Sequence, residues 1–117
     1  VNEQQRIRFA SALTRMAGDA DLLAMMAEMV AGDSQQVMAD LQSATETADC
    51  PRIAAIAHQL KGMLSTFETE APVSGLQDLV ESARREDDKE AQRLLLQLQP
   101  KLFALIEEIA ELQPQVR

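Results

Sequence analysis

Apolar side chains recur at three- and four-residue intervals along almost the whole of this chain, and that spacing restricts it to helices. The clearest case runs from Pro51 to Phe67. On a helical wheel of about 100° per residue with Leu60 at zero, Ile53, Ile56, Ala57, Met63, Leu64 and Phe67 all fall within roughly 60° of Leu60. Together they form one apolar stripe. Composition points the same way: Ala, Leu, Gln, Glu and Met dominate, aromatics are 3%, and there is no Trp or Tyr. Residues of this kind lose little rotamer freedom in a helix, so an all-α fold is expected.

Taken in order, the pattern predicts a first helix over Asn2–Met16 with Phe9, Leu13 and Met16 on one face, ended by Gly18. Asp19 or Asp21 can cap the next helix, which carries Leu22, Met25, Met26, Met29 and Val30. Gly32-Asp33-Ser34 reads as an interruption, or else as a kink in one long helix. Val37, Leu41 and Ala44 then continue an apolar stripe. Asp49-Cys50-Pro51 marks a boundary, since proline suits a first helical turn where its missing N–H has no partner to lose. After Phe67 the segment Glu68–Pro72 breaks the pattern, and Pro72 is expected to start the following helix, with Val73, Leu76, Leu79, Val80 and Ala83 buried. Arg84–Glu90 reads as an exposed turn and a helix entry. From Ala91 the stripe Leu94, Leu95, Leu98, Leu102, Leu105, Ile109 and Leu112 keeps its phase across Pro100. That predicts one long helix, kinked near Gln99 and ended at Gln113-Pro114.

Short connections imply antiparallel neighbours. The expected architecture is a single domain over residues 1–117, an antiparallel four-helix bundle with additional N-terminal helical segments, its core spanning about 34–112. The six methionines mostly fall on apolar stripes and read as core filling.

Several function classes are excluded or disfavoured. The net charge is −8, with a pI near 4.5. An acidic surface repels phosphate backbones, and there is neither a basic patch nor an aromatic platform, so nucleic acid is not an expected partner. One cysteine, Cys50, rules out an internal disulfide and fits a reducing compartment. No apolar run has membrane-spanning length and no signal peptide is visible. The chain begins with Val1 and reads as excised from a longer protein. Glu107, Glu108 and Glu111 have helical spacing, but a single histidine cannot complete a bundle di-iron site, and no Cys/His cluster exists for zinc. No intrinsic metal or cofactor is expected.

The one histidine is the feature that carries chemistry. His58 falls roughly 160° from Leu60, near the centre of the face opposite the core stripe. Ala54, Ala55, Lys61, Gly62 and Ser65 share that face. A neutral imidazole at pH 7 has a ring nitrogen free to act as a nucleophile. Lys61, three residues on, can offset the charge of an incoming phosphoryl group. Gly62 costs the helix about 1 kcal/mol relative to Ala, which suits close approach by a partner.

Ala57-His58-Gln59-Leu60-Lys61-Gly62 resembles the A-H-x-L-K-G signature of histidine-containing phosphotransfer domains. Ser65 stands where that family has a small residue and Phe67 where it has a large apolar one. Ala17-Gly18-Asp19 with Leu22-Leu23 resembles the family's helix entry, and nearly the whole chain is similar in length and helix order. The resemblance implies a phosphorelay intermediate in bacterial two-component signalling. His58 would accept a phosphoryl group from a receiver-domain aspartate and pass it to another, with Lys61 stabilising charge and Ala54, Ala55, Gly62 and Ser65 lining the docking face. It implies that response-regulator receiver domains are the partners and supply the Mg²⁺. The acidic surface and complete bundle leave no obvious extra apolar face, so a monomer is expected; the absent Met start points to a cytoplasmic part of a membrane-bound hybrid sensor kinase. Two departures stand out. Glu68 occupies a position where many members have glycine, and the residue facing the histidine from the next helix is Val80 by ungapped counting. Gln77 and Glu81 are therefore the candidates for orienting the His58 ring. Two alternatives remain: the phosphoryl-accepting domain of a chemotaxis-type kinase fed by an ATP-binding domain, and a non-catalytic adaptor that binds a receiver without accepting phosphate.

Overall fold

The computed structural model describes residues 1–112. Among them the chain forms six helices and no strand: α1 (Glu3–Arg8), α2 (Ala10–Arg15), α3 (Ala20–Glu46), α4 (Cys50–Leu64), α5 (Gly75–Arg84) and α6 (Asp88–Ala110). α3 packs on α4 and α6, and α5 packs on the same two helices.

Three of the connections share one construction. A helix ends in a residue with positive φ, the next amide closes a turn on a carbonyl five residues back, and an aspartate caps the following helix. Ala48 (φ 53°) is followed by Asp49, whose N–H donates to the Ala44 carbonyl at 3.0 Å and whose carboxylate accepts from the Arg52 amide at 3.3 Å. Glu86 (φ 60°) is followed by Asp87, which bonds to the Ser82 carbonyl and caps α6 through the Glu90 amide. After α2 the left-handed step covers Ala17 and Gly18 (φ 79°), and Asp19 caps α3 through the Leu22 amide. Each junction satisfies orphan carbonyls of one helix and orphan amides of the next within a few residues. At the α2–α3 turn Gly18 shares the left-handed step with Ala17; at the other two turns the left-handed residue is Ala48 or Glu86, which adopts that conformation at a cost.

Four sequence-based expectations are corrected. The first helix is not continuous: Phe9 (φ −109°, ψ 33°) separates α1 from α2. Its ring is buried and meets Phe67 edge-on, with centroids 6.2 Å apart, so a tertiary aromatic contact accompanies the local break. α3 runs unbroken through Gly32-Asp33-Ser34, so the interruption is overturned and the alternative of one long helix holds. Ser34, a capping candidate, instead donates its hydroxyl to the Val30 carbonyl inside the helix, and its burial with Ala27, Ala31 and Met38 carries the inner face through the glycine. Pro72 does not start α5. It lies in a turn, preceded by a cis peptide bond, and the helix begins at Gly75. There a Cβ would come within 2.6 Å of Leu98, so the entry of α5 is set by its close approach to α6. Finally, Leu22, Met25 and Met29 are exposed rather than core-filling.

The remaining stripes are mostly buried, with Ile56, Met63, Leu94 and Leu98 half-buried at their margins. Val73, Leu76, Leu79, Val80 and Ala83 are all inside, and so are Ala91, Leu95, Leu102, Leu105 and Ile109. α6 passes through Pro100, which is exposed; the carbonyl it leaves without a donor belongs to exposed Leu96, where water can serve instead. Leu112 is buried beyond the end of α6, and the expected stop at Gln113-Pro114 lies outside the described residues. The N-terminal segment is tied down by Arg8, which pairs with Glu68 and Glu108 at 3.0 Å each and lies over the Phe9 ring, and by Arg15, which donates to the Thr66 carbonyl at 2.8 Å.

Two stability outcomes follow. Ala48→Gly removes the left-handed strain at the α3–α4 turn and is expected to stabilise the fold by about 1 kcal/mol. Phe67→Ala empties the aromatic contact with Phe9 and is expected to cost about 3–5 kcal/mol. Urea unfolding of each variant against the parent chain measures both.

Candidate functional site

α4 places His58 by burying its other side. Asp49 caps the helix, Pro51 occupies its first turn, and Ile53, Ala57, Leu60 and Leu64 are fully buried. With that side fixed inward, His58 stands on the exposed side, as the wheel predicts. Ala55 and Gly62 are exposed beside it, and Ala54, Lys61 and Ser65 are half-buried. A Cβ built on Gly62 meets nothing within 4 Å, so the fold itself has no need of a glycine there. The face around the imidazole is therefore low and open, and the room at Gly62 is room for something outside the chain.

Around this face the polar contacts run along α4 and across to α5. The Ser65 hydroxyl donates to the Lys61 carbonyl at the end of α4. The Lys61 ammonium donates to Gln77 Oε1 at 2.9 Å, and Gln77 Nε2 donates to Glu81 Oε1 at 3.4 Å. Gln77 and Glu81 are thus brought to the site, but their hydrogen bonds are to Lys61 and to each other. Among the described residues no side chain hydrogen-bonds to the His58 ring. The periodicity could place Gln77 and Glu81 on α5 but could not show which residue of α4 they meet, because that depends on how the two helices pack.

The sequence reading missed the outer face of α3. Leu22, Met25 and Met29, at 41%, 58% and 69% exposure, form an apolar seam on a helix that packs against α4. The signal that could have separated them from the core set was present: Leu23, Ala24, Ala27 and Ala31 already complete the inner stripe of this helix. No Lys or Arg occurs between Arg15 and Arg52, so α3 is acidic and neutral throughout.

The concavities of the molecule lie elsewhere. A groove of about 230 Å³ between α3 and α6 is lined by Gln42, Thr45, Gln92, Leu95 and Leu96, none of which belongs to the His58 face. His58 stands on an exposed helix surface and lines none of these concavities. Among the described residues no group of three or more His, Cys, Asp or Glu side chains is poised to hold a metal ion. Among the described residues no helix is long and apolar enough to cross a membrane. Comparison with protein families, curated proteins and solved structures finds no match to this chain.

Cys50, at the start of α4, is buried, and that burial pushes its thiol above the ordinary range, with the nearby carboxylates of Asp88, Glu86, Asp49 and Asp87 adding to the shift. A raised thiol pKa makes a contribution to stability that is present below the ordinary thiol range and is lost as the pH rises through it. Native protein is accordingly expected to react slowly with a thiol reagent at pH 8, to react fully once unfolded in urea, and to unfold at lower urea as the pH passes 9. In the same helix, Gly62→Ala is expected to raise stability by about 1 kcal/mol, the helix-propensity difference, because the added methyl meets open space. Paired denaturation curves test it.

Proposed function

We propose that this chain is a phosphoryl carrier in a multistep phosphorelay. His58 takes a phosphoryl group from the phosphoaspartate of one response-regulator receiver domain and gives it to the aspartate of another. The observation that carries this reading is an exposed His58 with Lys61 on the same side of α4, inside the sequence Ala57-His58-Gln59-Leu60-Lys61-Gly62. The four longest helices, α3 to α6, are read as an antiparallel four-helix bundle, in keeping with their pairwise packing and the short α3–α4 and α5–α6 connections.

In the proposed reaction a ring nitrogen of His58 attacks phosphorus in line with the aspartyl oxygen. The N–P bond forms as the P–O bond breaks, and the carboxylate leaves with the bonding electron pair. The other ring nitrogen keeps its proton. Catalysis of such a transfer is chiefly positioning and charge stabilisation. This chain contributes the nucleophile, a low face at Ala54, Ala55, Gly62 and Ser65 for docking, and the Lys61 charge. Mg²⁺ belongs to the receiver. The exposed Leu22, Met25 and Met29 are further apolar surface, on a helix that packs against α4. The chain is a carrier and not a stand-alone enzyme. It works as a monomer on the cytoplasmic side, within or beside a hybrid sensor kinase.

Incubating the chain with a phosphorylated receiver domain and Mg²⁺ is expected to leave acid-labile, alkali-stable phosphate on the chain and none on His58→Gln. Absence of label across several receivers would favour a kinase-fed domain or an adaptor. Label on His58→Gln would place the acceptor at another residue.

A further inference from the structure

We infer that Gln77 is a positioning residue for Lys61, and that Glu81 sets the direction in which the Gln77 amide points. The inference rests on the reading of His58 as a phosphoryl acceptor. It gives Gln77 and Glu81 a different task from orienting the imidazole.

The three side chains form a directed series: Lys61 Nζ to Gln77 Oε1 at 2.9 Å, then Gln77 Nε2 to Glu81 Oε1 at 3.4 Å. An ammonium only donates and a carboxylate only accepts, so the amide between them has one satisfactory orientation, with oxygen toward Lys61 and nitrogen toward Glu81. Glu81, four residues after Gln77 on α5, selects that orientation. Lys61 and Gln77 are half-buried, so the contact joining α4 to α5 is partly shielded from water, whereas Glu81 is exposed.

The middle group being an amide has a chemical consequence. A carboxylate in place of Gln77 would hold the ammonium equally well, but it would neutralise the charge that an incoming phosphoryl group needs. An amide oxygen accepts one of the three N–H donors and leaves two, with the full positive charge, for phosphoryl oxygens. Lys61 is then held near its working position before the partner arrives, which is the arrangement that makes electrostatic stabilisation effective. The negative charge of Glu81 is kept one side chain further away.

Phosphoramidate tests this without a receiver. His58 attacks its phosphorus, the N–P bond to the ring forms, and ammonia leaves with the electron pair of the old P–N bond. The full chain and its Gln77→Leu, Gln77→Glu, Glu81→Gln and Lys61→Met variants are compared in two ways: the rate of phosphohistidine formation, and the NMR shifts of the Lys61 ε-methylene protons. In the parent chain the two ε protons are expected to be distinct. Gln77→Leu should merge them and slow phosphorylation by up to about a hundredfold, the scale of one stabilising group misplaced by about 1 Å. Gln77→Glu should keep them distinct and still slow phosphorylation. Glu81→Gln should give a smaller loss of rate than Gln77→Leu. In the Lys61→Met background, Gln77→Leu should have no further effect on the rate, which a general structural role would not reproduce. An unchanged rate in Gln77→Leu, or an equal loss with and without Lys61, overturns the inference. If the parent chain takes no phosphate on His58 from any donor, the phosphorelay reading falls by itself. The Lys61 spectra of Gln77→Leu then still decide whether Gln77 holds the ammonium.

Discussion

Ile53, Ala57, Leu60 and Leu64 lose all contact with water, and because they occupy one side of α4, their burial dictates where the other side goes. Each large aliphatic side chain among them contributes about 1.5–3 kcal/mol through burial. Turning the helix to expose them would therefore cost more than any single surface contact could offset. His58 is held outward by this constraint, and among the described residues no side chain hydrogen-bonds to its ring. The imidazole is presented on a rigid helix, its reactive nitrogens are open, and the rigidity comes from a layer it does not touch.

The same economy governs the ends of the helices. At the α3–α4 and α5–α6 junctions one residue in the left-handed region and one aspartate satisfy both helix termini, so that long helices follow one another with almost no loop. The α4–α5 connection is different. It is longer, contains Pro72 in a turn, and leads into a helix whose first residue, Gly75, lies close against Leu98. That approach helps set the position of α5 against its neighbours, and α5 brings Gln77 and Glu81 to the His58 face. The strongly charged end of the molecule, where Asp49, Glu86, Asp87 and Asp88 surround Cys50, is a by-product of building two junctions from acidic caps.

The exposed chemistry around His58 is spare: an imidazole, one ammonium, small residues, and an amide–carboxylate pair behind the ammonium. Such a surface has little with which to enclose a small molecule; under the proposed function it completes a site whose other half arrives with the receiver domain. The half-buried Lys61–Gln77 contact ties that face to α5.

The amino-acid sequence by itself determined the all-helical class, most of the buried stripes of α4, α5 and α6, and the outward side of α4 that carries His58, Lys61 and Gly62. All of these follow from the helical period and from residues acting on neighbours within one or two turns. Tertiary structure decided the rest. Gly32 and Ser34 carry local signals for a break, but burial of Ala31, Ser34 and Met38 keeps α3 continuous. Phe9 fits a helix, yet the chain breaks there, where the ring meets Phe67. Leu22, Met25 and Met29 are as apolar as core residues and stay outside because Leu23, Ala27 and Ala31 already fill the inner side. Gln77 and Glu81 meet Lys61 because of how α5 lies against α4. In each case the deciding contact joins residues far apart in the chain or weighs one face of a helix against another. Periodicity supplies the candidates for such contacts, and only packing chooses among them.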